Sequence, residues 1–394
     1  MAFIRTLMLT AIDLFCGAGG LSEGFRQSGF HILAGNDFDE YAGQTFAATH
    51  PEATFLPGPI QDLKAQDFLN AAGLKVGELD CLIGGPPCQA FSVYNHQRGM
   101  HDERSALFRE YLRIVKGIRP KWIVMENVTG ILSINDGNPV QAIKDELAEL
   151  GYQVETRTLK AEEYGVPQER RRVFFIGNRL GIPIRWPKAE HGSGLKPFVT
   201  VWEALSDLPA LKNGEDAGEV AYSCEPKSEY QKILRKNSKK VSNHSAPRLA
   251  PINLQRMKHI PEGGSWRDIP VRLLPEGMKR AKRSDHTQRY GRLKKKGLSS
   301  TILTKCDIHW GAYIHPTQDR SLTVREAARL QSFPDCFKFE GTKTEQYVQV
   351  GNAGPPLLGR KVAEAILSAM SHKKSSRSKV KGAEEKQRDY LVAV

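Results

Sequence analysis

The sequence lacks the cysteine spacings that mark a zinc site or a disulfide framework. No two of its six cysteines form a Cys-x-x-Cys pair. Such a distribution is typical of reduced thiols in a cytosolic protein, because secreted domains and structural zinc sites use recurring cysteine spacings. We therefore expect no bound metal and no disulfide. The six are Cys16, Cys81, Cys88, Cys224, Cys306 and Cys336.

Signals of membrane location and assembly are missing too. No signal peptide is evident, and no apolar run reaches the ~20 residues that span a bilayer. The sequence shows no internal repeat and no coiled-coil pattern. No Gly-Lys-Ser/Thr follows a glycine loop, which excludes a Walker-type phosphate loop. We therefore expect a cytoplasmic monomer.

Positive charge is concentrated in one segment. The 394 residues carry a net charge of +13. Residues 226–296 hold 20 Lys or Arg against 5 Asp or Glu, so this basic segment alone carries +15 and the rest of the chain is about neutral. A positive segment on a neutral body is typical of a polyanion-binding surface. A highly charged, solvated surface would have the same composition, so charge alone leaves both readings open.

The first forty residues predict a nucleotide-binding α/β unit. Thr10–Phe15 reads as a strand and Cys16–Gly20 as a glycine loop that leads into a helix. A second strand, His31–Gly35, is followed by Asp37. Glycines let the backbone approach a ligand, and an acid after the second strand is where a ribose diol is bound. The pattern favours a nucleoside-containing cofactor on a Rossmann-like sheet, although an acidic helix N-cap at Asp37 or Asp39 would explain the same residues equally well.

A cysteine stands on a rigid turn after another buried strand. Residues 79–84 read as that strand, which ends in Gly84, and Gly85–Gln89 follows with a second glycine and two prolines. Proline fixes φ, so the chain must turn sharply at the carboxyl end of the strand, where open α/β sheets place their active sites. Cys88 is thus a candidate nucleophile, with a buried structural thiol as the alternative. Residues 91–104, polar and aperiodic, read as a lid beside it.

Two further stretches place charged side chains near strand ends. Glu126 follows the apolar strand Trp122–Met125, where burial would let a carboxyl group hold a proton; a helix N-cap is the alternative. Arg170 and Arg172 alternate on one face of an extended chain that enters the strand Val173–Gly177. Two guanidinium groups there can bind a phosphate, carboxylate or carbonyl, unless they form a solvated basic edge.

Taken in order, six motifs resemble the C5-cytosine-specific DNA methyltransferases of bacterial restriction–modification systems. The resemblance covers almost the whole chain, and the order of motifs makes it specific. It implies a Rossmann-like S-adenosylmethionine-dependent methyltransferase domain with a smaller, irregular target-recognition domain. The motifs are Asp13–Gly20, Gly85–Ser92, Glu126–Val128, Gln168–Arg172, Arg320–Pro334 and Gly351–Asn352.

The resemblance also divides the chain. Composition changes at residues 184–197, which are rich in Pro and Gly. We expect a catalytic, cofactor-binding domain over residues 1–187, completed by 342–372. The target-recognition domain then spans 188–341 and contains the basic segment, and residues 373–394 form a Lys/Ser-rich tail that we expect to be disordered.

Matching the motifs residue by residue assigns a site. The implied catalytic residues are Cys88, Glu126, Arg170 and Arg172. The implied S-adenosylmethionine contacts are Phe15, Gly17, Gly19, Gly20, Leu21, Asp37, Phe38, Asp62, Pro87, Leu107 and Asn352. The implied DNA contacts are Gln89, Ser92, Tyr94, Gln168, Trp266 and Arg267, with Trp266 as the aromatic tip of a loop.

One position departs from the family pattern. The family often has Gly-Asp-Ile where this chain has Gly58-Pro59-Ile60, and that aspartate meets the adenine of the cofactor. Proline cannot make this contact, so Asp62 is the candidate substitute. The acid and aromatic of the second strand match Asp37 and Phe38.

The implied chemistry explains the residue types. A thiolate that adds to C6 makes C5 nucleophilic, which calls for a cysteine such as Cys88. Glu126 would protonate or hydrogen-bond N3, and the two arginines would hold the O2 and phosphate side and orient Glu126. The target carbon lies in a stacked duplex, so the cytosine must be flipped out. Tyr94, in the lid, would help to fill the vacated space.

Three other readings remain at this point. An RNA cytosine-5 methyltransferase shares the motifs, but its tRNA-directed branch usually carries threonine at the position of Ser92 and lacks a large basic segment. A non-catalytic DNA-binding protein on this fold would be expected to have lost Cys88 or Glu126. A dinucleotide-dependent oxidoreductase would need a different glycine spacing. Double-stranded DNA is therefore the expected substrate, in the bacterial cytoplasm or nucleoid, with a cognate restriction endonuclease acting on the same site without a stable complex.

The basic segment generates the first testable prediction. If residues 226–296 neutralise DNA phosphates, the logarithm of the DNA association constant should fall steeply and linearly with the logarithm of salt concentration, because bound counterions are released. Fluorescence anisotropy of a labelled duplex from low to moderate salt measures this slope. An affinity that stays flat over this range would count against the assignment.

Overall fold

The computed structural model describes residues 8–87, 107–133, 138–282 and 288–371. Four predicted site residues, Cys88, Gln89, Ser92 and Tyr94, lie outside the described residues together with the predicted lid. Within the described ranges, no helix combines the length and the apolar character needed to cross a membrane.

A seven-stranded sheet forms the centre of the molecule. Its order is β3-β2-β1-β4-β5-β7-β6, and all neighbours are parallel except β7, which runs antiparallel to β5 and β6. This architecture confirms the predicted Rossmann-like α/β fold. The strands are β1 (Thr10–Leu14), β2 (His31–Asp37), β3 (Thr54–Pro57), β4 (Cys81–Gly84), β5 (Trp122–Val128), β6 (Gln153–Lys160) and β7 (Arg171–Asn178).

Helices cover both faces of this sheet. Those of the sheet unit are α1 (Gly20–Gln27), α2 (Glu40–Thr49), α3 (Ala65–Ala72), α4 (Leu107–Ile118) and α5 (Asn138–Glu149). Those further along the chain are α6 (Val201–Leu205), α7 (Glu229–Arg235), α8 (Pro251–Met257), α9 (Glu276–Lys279), α10 (Val324–Leu330), α11 (Lys343–Asn352) and α12 (residues 356–371). A short two-stranded ribbon pairs β8 (Val220–Ala221) with β9 (Lys240–Val241).

The strands bury alternate residues in two apolar clusters, one on each face. In β1, Ala11 packs into the cluster that contains Phe25 of α1 and Leu358 of α12. Ile12 and Leu14 pack into the opposite cluster, with the apolar sides of α3, α4 and α5. This period-2 alternation makes a three-layer structure in which the sheet is covered on both sides.

Strand order creates a crevice at the carboxyl end of β1. From β1 the chain goes outward to β2 and β3, and then crosses back to β4 on the other side of β1. In open α/β sheets, ligands bind at such a switch point, because the two neighbouring loops diverge there.

The part of the chain between the sheet and α11 has little regular structure. One portion of it forms a third apolar cluster, in which Trp266, Tyr290 and Ile308 are buried, and other portions pack into the first cluster with the sheet. It also contains a helix whose charged side chains point inward: Arg325, Glu326 and Arg329 of α10 are all buried. The predicted division into domains at residues 187 and 341 stays a prediction.

Each buried arginine around α10 is satisfied by acceptors from distant segments. Arg329 binds Asp335 through Nε–Oδ1 and Nη2–Oδ2 contacts of 2.9 and 2.6 Å, and it also contacts Asp207. Arg320 binds Glu326 through contacts of 2.8 and 2.7 Å. Burial would raise the pKa of the Glu326 carboxyl, but the Arg320 guanidinium holds that pKa well below its usual range. These ion pairs are buried, so the removal of one partner leaves a buried charge without its counter-charge and lowers the stability of the fold.

Short turns set the boundaries of three helices. Helix α3 begins only at Ala65, after a separate 3-10 turn at Ile60–Asp62. Helix α11 continues through Asn352, so only residues 353–355 separate it from α12. In α12, Leu358, Val362 and Ile366 recur at every fourth position and form one buried apolar face.

Replacing Arg329 by methionine tests the buried ion pairs. Arg329→Met removes the cation shared by Asp207 and Asp335, so two buried carboxylates each lose one of their partners and the free energy of unfolding should fall by about 3–5 kcal/mol. Urea unfolding measures this change. The matched control is Arg360→Met, which breaks a half-exposed i,i+4 pair with Glu364 and should cost less than about 1 kcal/mol. Equal losses in the two variants would contradict the prediction.

Candidate active site

A cavity of about 350 Å³ opens at the carboxyl ends of β1, β2, β4 and β5. The loop after β1, the turn after β4 and the end of α11 form its walls. Ten of the predicted site residues line it: Phe15, Gly17, Gly20, Leu21, Asp37, Phe38, Pro87, Glu126, Arg172 and Asn352.

The glycine loop is held open by left-handed backbone conformations. Gly17 and Gly19 have φ values of 52° and 96°, and Phe15 adopts φ 56° although it carries a side chain. An aromatic residue in this region of φ/ψ space is strained, and such strain clusters at ligand sites. A Cβ added to Gly17 would meet no atom within 4 Å. The loop therefore leaves room for a ligand beside its backbone.

Asp37 fixes this loop and faces the same cavity. Its Oδ2 accepts a hydrogen bond from the Gly17 N–H at 2.8 Å, and its Oδ1 accepts one from the Asp39 N–H at 3.0 Å. Burial raises the pKa of the Asp37 carboxyl. Each carboxylate oxygen can accept a second hydrogen bond, so the same group can still bind a hydroxyl of a ligand. The N-cap of α2 is supplied by Asp39, which accepts from Ala42 N–H.

Asp13 is a site residue that the sequence analysis did not single out. Its carboxylate is fully buried in the cavity wall, and Ser22 Oγ donates to its Oδ2 at 2.6 Å. Its Oδ1 has no hydrogen-bond partner. Burial raises the pKa of this carboxyl to about 7. The signal in the sequence that could have identified it is its place as the first residue of the motif Asp13–Gly20.

Glu126 and Arg172 form an ion pair in the opposite wall. Arg172 Nε lies 2.9 Å from Glu126 Oε1, and the side chains are 15% and 13% exposed. The two residues lie on adjacent antiparallel strands, where Glu126 pairs with Phe174 and Val128 with Arg172. The pair is therefore partly shielded from water yet open to the cavity.

The turn that leads to Cys88 lies against this ion pair. A Cβ added to Gly85 would lie 3.6 Å from Glu126 Oε2. Asn127, beside Glu126, donates from Nδ2 to the Pro86 carbonyl at 3.2 Å. Asn127, the middle residue of the motif Glu126–Val128, thus anchors the Pro-Pro turn. The carboxylate thus borders the segment that carries the predicted nucleophile.

Arg170 is placed differently from the prediction. Its guanidinium is buried and donates to the carbonyls of Ile302, Gly351 and Ala353 at 3.3, 3.2 and 2.9 Å. It does not line the cavity. Burial, with the nearby Arg172 charge, lowers the pKa of Arg170 well below its usual value. Because Gly351 and Ala353 flank Asn352, Arg170 holds the backbone around a cavity residue and faces no open space.

Two of the predicted DNA contacts are also buried. Gln168 donates from Nε2 to Gln331 Oε1 at 2.6 Å and to the Leu330 carbonyl at 3.1 Å. Trp266 is 1% exposed and belongs to the third apolar cluster, so the expectation of an accessible aromatic tip is not met there. Its indole is covered because the loop folds back onto residues 289–292. Arg267 lies half-buried, with its guanidinium 5.0 Å from the Trp266 ring centroid.

Three predicted cofactor contacts lie away from the cavity lining. Asp62 is exposed on the 3-10 turn, and Leu107 packs at the start of α4 against the second apolar cluster. Gly19 belongs to the glycine loop but faces the protein interior, because a Cβ added to it would lie 2.7 Å from the His50 side chain. Asp62, the candidate substitute for the family's aspartate at the position of Pro59, is therefore not among the lining residues that the structure describes.

Comparison with known proteins identifies the family. The model of the C-5 cytosine-specific DNA methylase family matches residues 9–368. The type II methyltransferase M.AgeI of Thalassovita gelatinovora is 34% identical over 430 aligned residues, which cover 92% of this chain and 100% of that protein. M.DdeI of Desulfomicrobium norvegicum is 36% identical, over 91% of this chain and 88% of that protein.

A solved structure agrees with this assignment. The crystal structure of a chain described as a DNA modification methyltransferase of an Escherichia coli prophage superposes with a TM-score of 0.74 and 25% identity, over 92% of this chain and 99% of that one. The fold, the position of the cavity and the similarity to these proteins all support the same family assignment. The chain belongs to the C-5 cytosine-specific DNA methylase family and is a DNA (cytosine-5-)-methyltransferase.

Proposed function

We propose that this chain transfers a methyl group from S-adenosylmethionine to C5 of a cytosine flipped out of a specific double-stranded DNA sequence, within a restriction–modification system. The observation that carries the proposal is the Glu126–Arg172 ion pair. It lies in one cavity with the strained glycine loop and borders the turn that leads to Cys88. The glycine loop, the Glu126 carboxyl group and the turn that precedes Cys88 therefore all border the same cavity.

The cavity suits S-adenosylmethionine in three places. Phe38 is 72% exposed at the rim and offers a face for stacking the adenine. Asp37 offers carboxylate oxygens to the ribose hydroxyls. The unpartnered Oδ1 of Asp13 offers a buried anionic acceptor for the ammonium group of the methionine part. When bound, S-adenosylmethionine supplies an electrophilic methyl group.

The chain's own residues would activate and release the cytosine. The Cys88 thiolate adds to C6, and the C5–C6 π electrons move toward C5 while the Glu126 carboxyl provides a hydrogen bond or proton at N3. Arg172 orients Glu126 through the 2.9 Å contact and presents its remaining donors toward the base. After C5 is methylated, loss of the C5 proton to a base and cleavage of the S–C6 bond restore the ring and free the thiolate.

Double-stranded DNA is supported as the substrate by the relatives and by charge. The bacterial relatives named above are type II methyltransferases, and the basic segment supplies positive charge for phosphate contacts. A cognate endonuclease that cuts the same unmodified site would act without a stable complex.

Bisulfite sequencing tests the proposal. Unmethylated plasmid incubated with the protein and S-adenosylmethionine should acquire 5-methylcytosine at one short recurring sequence. Cys88→Ser should abolish the signal, and Glu126→Gln should slow it roughly 10²–10⁴-fold, as expected for loss of a positioned acid. The matched control is Cys336→Ser, which changes an exposed cysteine and should leave the rate unchanged. Full activity of Cys88→Ser, or methylation of RNA in place of DNA, would refute the proposal.

Cofactor binding should depend on pH through Asp13. The pKa of the Asp13 carboxyl is about 7, so below pH 7 this carboxyl is mostly protonated and a cationic ligand must displace that proton. The Kd of S-adenosylmethionine should be about tenfold higher at pH 6 than at pH 8, measured by isothermal titration calorimetry.

Two variants check this pH dependence. Asp13→Asn should weaken binding at pH 8 and remove the pH dependence. Asp39→Asn changes another acid of the same cavity, one that caps α2, and should keep the dependence intact. A slope that persists in Asp13→Asn would assign the titrating group elsewhere.

A further inference from the structure

Trp310 is a large aromatic side chain left exposed on the surface. It is 56% exposed, whereas Trp122 and Trp266 are buried. Two cations lie over its ring: the Arg289 guanidinium carbon is 5.7 Å and the Lys305 Nζ 5.4 Å from the ring centroid. A single exposed apolar side chain is ordinary on a protein surface, but an indole with two cations beside its ring presents an apolar face and positive charge together, and each exposed cation–π contact is worth about 0.5–1 kcal/mol.

Backbone hydrogen bonds and a buried neighbouring residue fix the loop that carries Trp310. The Tyr290 N–H donates to the Ile308 carbonyl at 2.6 Å, and Ile308 is fully buried in the third apolar cluster. The Trp310 N–H donates to the Asp307 carbonyl at 2.9 Å, and Asp307 Oδ1 lies 2.5 Å from His309 Nδ1. The Gly291 N–H donates to the Gly311 carbonyl at 3.3 Å, so the backbone is held on both sides of Trp310 and the fold keeps this side chain at the surface.

The same loop leaves the wall of the cofactor cavity. Thr301 Oγ1 donates to the Glu169 carbonyl at 2.7 Å, and Arg170 donates to the Ile302 carbonyl. A Cβ added to Gly351, a cavity residue, would lie 2.4 Å from the backbone of Leu303. Lys305 follows two residues later, so the Lys305–Trp310 loop begins beside the site where the flipped cytosine would be processed.

The chemistry of this surface fits one partner. Two cations attract an anionic backbone, and a flat indole beside them can stack on bases or sugars. The loop's own carboxylate, Asp307, is paired with His309. Nucleic acid supplies both the regularly spaced phosphates and the aromatic faces that such a surface needs.

We propose that Arg289, Lys305 and Trp310 form a DNA contact next to the target cytosine, in which the two cations bind phosphates and the indole packs against an adjacent nucleotide. This inference rests on the proposed function, because it takes duplex DNA as the substrate. It assigns to Trp310 the aromatic DNA contact that the sequence had suggested for Trp266.

Binding of a labelled duplex from the methylated plasmid, measured by anisotropy at several salt concentrations, separates the two parts of the contact. Trp310→Ala should weaken binding about tenfold, as loss of a stacked aromatic does, without changing the salt slope. Arg289→Gln and Lys305→Gln should each reduce the slope of log K against log salt by about 0.9, because one phosphate contact is lost. Trp310→Phe, which keeps an aromatic ring, should recover part of the affinity.

Trp202 provides the matched control. It is 36% exposed and also carries a lysine over its ring, with Lys295 Nζ 5.4 Å from the centroid. Trp202→Ala should leave both affinity and slope unchanged. The inference is overturned if Trp310→Ala binds like the parent protein, if neither charge variant changes the slope, or if Trp202→Ala loses as much affinity as Trp310→Ala.

The outcomes for the parent protein separate the two proposals. If it binds and methylates the plasmid but the variants behave as the parent, the inference fails and the proposed function stands. If it binds duplex DNA without methylating it, the proposed function fails, and the variants still test the contact. If it binds no DNA, both fail.

Discussion

A buried guanidinium group must find acceptors inside the protein, and this constraint holds together the part of the chain between residues 188 and 341. Arg325 donates to the carbonyls of Ser242, Pro334 and Phe337, while Arg329 binds two carboxylates from separate segments. An unpaired buried cation is expensive, so these segments can close only in an arrangement that brings the acceptors together. In this part of the chain, hydrogen bonds and ion pairs of buried side chains therefore hold separate segments together, as backbone hydrogen bonds between strands do in the sheet.

The same constraint connects this region to the cofactor cavity through Arg170. Its acceptors are the Ile302 carbonyl and the two carbonyls on either side of Asn352. The entry to β7, the segment that leads to the Trp310 loop and the end of α11 therefore meet at one cation. A change in any of the three would disturb the cavity wall, although Arg170 itself faces no ligand. The two arginines of this motif therefore have different roles: Arg172 pairs with Glu126 in the cavity wall, and Arg170 holds the backbone around Asn352.

The sequence was sufficient where the determinants are local. The strand and glycine loop at Asp13–Gly20 follow from apolar runs and glycine spacing, and Glu126 follows from its place after an apolar strand. The inward side chains of Gln168, Arg170 and Trp266 were not predictable, because their partners lie up to 183 residues away along the chain. Trp266 and Trp310 both occur in aperiodic stretches, and only tertiary packing decides which one is buried. The role of Cys88 remains a prediction from its motif.

The antiparallel direction of β7 brings the catalytic candidates together. In a parallel sheet, only the carboxyl ends of strands reach the ligand edge, and Glu126 lies near that end of β5. Because β7 runs the other way, its amino end reaches the same edge, and Arg172 stands near that end. Were β7 parallel to β5, an arginine at its start would lie a strand length away, roughly 25 Å for eight residues. The reversal of one strand thus lets a carboxylate at one strand's end be held by a guanidinium at another's beginning.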